Sequence, residues 1–119
     1  MSDYLSVRPI SCILRGQRSM ENIKHCAVLV RNPEDVWEGS RAALGLAVGN
    51  YYGHLFVLDV IVKMTEELKE NMEWLQDMGC MCFSNAKENE SQNFRYLNDK
   101  QLAAHLREMD LVIPFGNRV

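Results

Sequence analysis

Cys26-Ala27-Val28-Leu29-Val30, followed by Arg31-Asn32-Pro33-Glu34-Asp35, is the stretch that decides the fold. Five consecutive apolar residues between charged neighbours suit a strand buried on both faces, whereas a strand with one wet face would alternate. The residues after it read as a helix start. Asn32 is a candidate N-cap, Pro33 fits the first helical position, and acids suit the first turn, near the positive end of the helix dipole. An alternative start is Ser40, with Trp37 to Gly39 in a loop. A doubly buried strand running into a helix opens a β-α-β unit.

The alternation continues along the chain. From Arg41, the residues Ala43, Leu44, Ala47 and Val48 share one helical face, widened by Leu46 and Tyr51. Gly45 and Gly49 would allow close approach to a sheet, and Gly53 is a stop. His54 to Val62 is a second apolar strand, with Asp59 tolerable if the strand ends near it. Thr65 can cap a second helix to Met78, with Leu68, Met72, Leu75 and Met78 as its buried stripe. Gly79-Cys80-Met81-Cys82-Phe83-Ser84 follows as a short third strand. Asn85 to Asn98 is polar, and a loop of that length in a compact domain is usually functional or mobile. Asn98-Asp99 caps a third helix to Glu108, whose face carries Leu102, Ala103 and Leu106. Asp110 to Phe115 is a last strand, where Pro114 marks an end or an edge. The order β-α-β-α-β-α-β predicts an α/β sandwich, a mostly parallel sheet with helices on both faces and right-handed crossovers. Residues 1–23 lack a sustained period and read as an N-terminal arm, with one extended piece around Ser11–Leu14. Residues 24–119 read as the domain.

Bulk properties narrow the function. A chain of 119 residues holds one domain with a single core. With 47% apolar and 24% charged residues it has the composition of an ordinary globular protein. A net charge of −3 argues against a nucleic-acid binder that relies on a basic surface. No apolar run approaches the ~18 residues that would suggest a membrane span. Arg8, Arg15 and Arg18 break up the N-terminus, so no signal-peptide core is present and a cytoplasmic location with reduced thiols is expected. Cys12, Cys26, Cys80 and Cys82 are too unevenly spaced for a disulfide framework, and there is no Cys-x-x-Cys. His25, His54 and His105 fall on separate predicted elements, so neither a metal site nor a cofactor is expected.

Open parallel sheets bind ligands beyond the carboxyl ends of their strands. The predicted ends are Arg31-Asn32, Asp59 to Lys63, Cys82 to Asn85, and Phe115 to Asn117. Only the third supplies a nucleophile. Cys80 and Cys82 share a face because side chains alternate, and Cys82 is expected nearer the carboxyl end, which makes it the first candidate and Cys80 the second. Reactivity requires a thiolate, favoured by a nearby cation such as Arg31 or Lys87 or by a helix N-terminus. Packing is the competing role, since free cysteine is among the most buried residue types. A third option is a small-ligand site using Asn32, Trp37 and Asn85. The residues of a phospho-receiver site, a Gly-x-Gly-x-x-Gly turn, a Gly-x-Ser-x-Gly elbow and a Ser/Thr-rich phosphate loop are all missing.

Three segments carry a family resemblance. Ala27 to Pro33, Ser40 to Gly49 and His54 to Leu58 resemble the opening β-α-β of the DsrE/DsrF-like proteins, and Leu75 to Phe83 looks like that family's second helix running into its third strand. Leu102 to Phe115 fits its last helix and strand. The resemblance implies a small flavodoxin-like three-layer domain that assembles into trimers or hexamers. It also implies a sulfur-relay role, with a cysteine near the third strand carrying persulfide sulfur between a donor and an acceptor protein, and Cys82 falls in that region. Some subunits of such complexes lack the active cysteine and act structurally, so a non-catalytic oligomeric, partner-binding subunit is the alternative.

Overall fold

A computed structural model of the chain describes residues 23–115. The expected arm lies outside the described residues apart from Ile23, which packs against the core; Cys12 lies outside them too. The apolar run at Cys26 is β1, His25–Val30. Pro33–Asp35 forms a 3-10 turn, and Val36–Val48 follows as α1. Trp37 to Gly39 are therefore helical, and Pro33 opens the turn that leads into the helix. Next come β2 (Tyr52–Val57), α2 (Glu66–Asp77) and β3 (Cys82–Ser84). A 3-10 helix (Lys87–Gln92), β4 (Arg95–Tyr96), α3 (Asp99–Arg107) and β5 (Leu111–Phe115) complete the described residues.

The five strands form one parallel sheet in the order β4-β3-β2-β1-β5. From β1 to β3 the chain steps in one direction, so right-handed crossovers put α1 and α2 on the same face; α3 carries the chain back across the sheet on the other. Two cores result. Val28, Val30, Leu55, Val57 and Cys82 pack with Ala43, Ala47, Leu68, Met72 and Leu75 on the α1/α2 face. Ala27, Phe56, Leu58, Phe83 and Leu97 pack with Leu102 of α3 on the opposite face. The arrangement is the flavodoxin-like three-layer α/β sandwich. Among the described residues, no helix is long and apolar enough to cross a membrane.

Local chemistry accounts for the element boundaries. Thr65 Oγ1 accepts the Leu68 N–H at 3.1 Å, capping α2. Asn98 and Gln101 form a reciprocal capping box at α3, with bonds of 2.8 and 3.0 Å. Close helix–sheet approach comes from Gly53, where a Cβ would overlap the Ala43 carbonyl. Gly45, expected in that role, faces open space.

Two segments differ from the sequence reading. The second strand stops at Val57, although the apolar run continues to Val62. Asp59 takes a left-handed conformation (φ 60°) and turns the chain. Val60 and Val62 remain buried, yet their backbone groups bond to the Asn89 amide instead of a neighbouring strand, at 2.7 and 2.8 Å. The polar stretch from Asn85 to Asn98 is likewise no loose loop, since it contains the second 3-10 helix and β4.

Candidate functional site

The route into the cysteine pair is set by Gly79. Its φ of 84° ends α2 in a Schellman motif, in which the Gly79 N–H reaches the Gln76 carbonyl at 3.1 Å and the Cys80 N–H reaches Leu75 at 2.9 Å. Cys80 is thus part of a helix terminus and is buried. The exit uses up the residues before Cys82, so β3 begins at Cys82 and its carboxyl end is Ser84. Cys82 pairs with Leu55 and points into the α1/α2 core with 3% exposure. Burial, followed by the neighbouring Cys80, pushes its thiol up to about 12. Cys26 is raised in the same direction by burial and by Asp110, with Lys24 opposing.

The strand-end position expected for Cys82 belongs to Ser84, which is fully buried. Its Oγ accepts from Asn89 Nδ2 at 2.8 Å and from the Ala86 N–H at 3.1 Å. Asn89 thereby ties together the end of β3, the segment after β2 and the 3-10 helix. Gln92 adds a bond from Nε2 to the Val62 carbonyl at 3.1 Å. Asn85 works similarly nearer the surface: its Oδ1 accepts the Asp59 N–H at 2.7 Å, and its Nδ2 donates to Asp59 and Asp99, each at 3.0 Å. Side-chain amides therefore close the carboxyl ends of β2 and β3. The topological switch point lies elsewhere, between β1 and β5.

The other sequence candidates separate. Asn32 Nδ2 donates to Asp35 at 3.2 Å. Asn85 is held between Asp59 and Asp99. Trp37 faces outward on α1 with Arg41 stacked over its ring at 5.1 Å, and with Leu44, Gly45, Val48 and Asn71 it lines an open groove of about 390 Å³. Neither Asn32 nor Asn85 lines that groove. Behind it, Asn71 Nδ2 bonds Ser40 Oγ at 2.9 Å, and Ser40 Oγ bonds the Trp37 carbonyl at 2.6 Å.

Comparison with protein-family models, with curated proteins and with solved structures gives no match for this chain. Among the described residues, no three His, Cys, Asp or Glu side chains are placed to hold a metal ion.

One cluster escaped the sequence reading. His25 and His54 lie on adjacent strands with His25 Nδ1 and His54 Nε2 2.9 Å apart, both buried. Tyr52 stacks on His25 at 4.5 Å. The Met81 N–H donates to His54 Nδ1 at 3.0 Å, and the His25 N–H donates to Asp110 at 2.7 Å. The available signal was the β-α-β unit itself, because it makes β1 and β2 neighbours and brings their first residues to one depth.

Proposed function

We propose that this chain is a non-catalytic, partner-binding subunit of an oligomeric assembly. The observation that carries this reading is the burial of Cys82 in the α1/α2 core with its thiol raised to about 12. At neutral pH such a thiol is ionised to about one part in 10⁵, whereas attack on sulfur requires the thiolate. Exposed large apolar side chains support binding: Trp37, Val48 and Trp74 on the helical layer, Leu111 and Val112 on β5. The assembly expected from the DsrE/DsrF-like resemblance is a homo-oligomer, a trimer or hexamer, in the cytoplasm.

The competing reading is sulfur relay through Cys82, favoured by the likeness of Leu75 to Phe83 to the family's second helix and third strand. In that chemistry the Cys82 thiolate attacks the outer sulfur of a donor protein's persulfide. The donor's S–S bond breaks, its thiolate leaves, and Cys82 carries the sulfur until an acceptor thiolate takes it. Incubation with a persulfide donor at neutral pH, followed by mass spectrometry, separates the two. The expected result is no added sulfur on native Cys82, with alkylation of that thiol only after denaturation. Sulfur found on native Cys82 and lost in Cys82→Ser would overturn the non-catalytic reading.

A further inference from the structure

The outward face of the α1/α2 layer carries a hollow and a projection side by side. The hollow is the groove of about 390 Å³ lined by Trp37, Arg41, Leu44, Gly45, Val48 and Asn71. It is bare at Gly45, where a Cβ would meet nothing within 4 Å. Glycine is a poor helix former, and among the described residues no close approach calls for it at this position. The projection is Trp74 of α2, 57% exposed. The two helices run parallel, because both connect parallel strands over one face, and the Asn71–Ser40 bond sets their relative level. Asn71 and Trp74 share the flank of α2 that turns toward α1. Three residues past Asn71, Trp74 stands level with residue 43 of α1, midway between Arg41 and Gly45. The charges differ between the two features. In the hollow the Arg41 guanidinium lies over the Trp37 ring. The projection is flanked, one helical turn to either side, by Glu70 and Asp77, both exposed.

We infer that a second copy of this chain docks face to face on this layer, with Trp74 of each copy seated in the hollow of the other. A two-fold axis parallel to the helices and running between them sets α2 of one copy against α1 of the other and keeps residue levels unchanged. Trp74 then meets the gap between Arg41 and Gly45. Its indole covers the bare backbone at Gly45 and offers a second aromatic face to the Arg41 guanidinium. Glu70 of one copy comes opposite Arg41 of the other, so the acid-flanked projection enters the basic hollow. Each contact occurs twice, as an isologous interface requires. A projection matched to the hollow in level and opposite to it in charge, on the same face, is what a self-partner supplies. The inference rests on the partner-binding reading and names its partner. Cys82 chemistry and this docking are read by different measurements, so either can fail alone.

Light scattering on the size-separated full-length chain tests the docking. The wild type is expected at an even multiple of the chain mass. Gly45→Glu adds a side chain where there is open space and replaces glycine by a better helix former, so the circular dichroism should be unchanged. The added acid fills the hollow and faces Glu70 and Asp77 of the second copy, and it should weaken association at least about tenfold. Trp74→Ala removes the projection and should do the same, as expected of a tryptophan central to an interface. Either variant serves should the other fail to fold. Trp37 and Trp74 are the two tryptophans of the chain, and the docking shields both. Wild-type emission should therefore move to longer wavelength on dilution, while that of Gly45→Glu should not depend on concentration. A monomeric wild type overturns the inference, whether residues 1–22, another protein or nothing covers the face. So does a trimer, or an assembly that a folded Gly45→Glu or Trp74→Ala leaves intact.

Discussion

β3 and β5 are opposite cases within one sheet. β3 carries the reactive residue type and is buried at every position; β5 carries aliphatic, proline and aromatic residues and is largely open to solvent. β3 is also held at both ends, by the Schellman turn at Gly79 and by the Asn89 amide at Ser84. Among the described residues β5 has its ladder on one side only. Chemical capability thus lies where substrate cannot reach, and apolar surface lies where a partner can. The other sheet edge sharpens the point. β4 is two residues long, Arg95–Tyr96, with Lys87 near the Tyr96 ring, and a short, charged strand is a poor template for pairing.

The contrast can be broken in three ways, in descending order of effect. Phe83 of β3 is buried against Phe56 and His105, with centroids 5.0 and 4.7 Å away. Phe83→Ala should lower unfolding free energy in urea by about 3–5 kcal/mol, through lost burial plus the cavity left behind. A loss under about 1 kcal/mol would mean that β3 is not the closed strand described.

The second concerns alkali. The Cys82 thiol has a folded-state value of about 12 against an ordinary 9.0. Below pH 9 both folded and unfolded chains keep the proton, and the full contribution is present. Between about 9 and 12 only the unfolded chain releases it, so stability falls as pH rises, by about 1.4 kcal/mol per pH unit. Cys26 shifts in the same direction and adds to the slope. Chemical unfolding at pH 8, 9 and 10 should show this slope, and Cys82→Ala should flatten it. An equal slope in the variant would show that Cys82 is not the group being titrated.

The smallest effect belongs to β5. Val112→Lys should change unfolding free energy by less than about 0.5 kcal/mol, as at other exposed sites. A loss comparable to Phe83→Ala would make β5 a core strand and end the contrast.

Much of the fold was legible because it follows from burial. The run at Cys26 and the stripe Leu68, Met72, Leu75 each state their period, and Thr65 and Asn98 cap where their chemistry indicates. Two kinds of feature were not legible. One is a long-range side-chain bond that replaces a backbone partner. Val60 and Val62 read as strand because they are apolar, and nothing local shows that an amide 27 residues or more away would take their backbone groups. The other is position along a short element. Both cysteines share a face, as alternation requires, but the two residues spent leaving α2 moved Cys82 from the strand's end to its start. With three residues in β3, such a shift separates a rim from a core.

The bonds linking Met81, His54 and His25 have a direction. The Met81 N–H obliges His54 Nδ1 to accept, so the neutral His54 ring carries its hydrogen on Nε2 and gives it to His25 Nδ1. Each ring is thereby held in a single tautomer, with the hydrogen of His25 on its own Nε2. The amino end of the sheet therefore carries a polarised chain of hydrogen bonds with a fixed direction, joining β1, β2 and the entrance to β3.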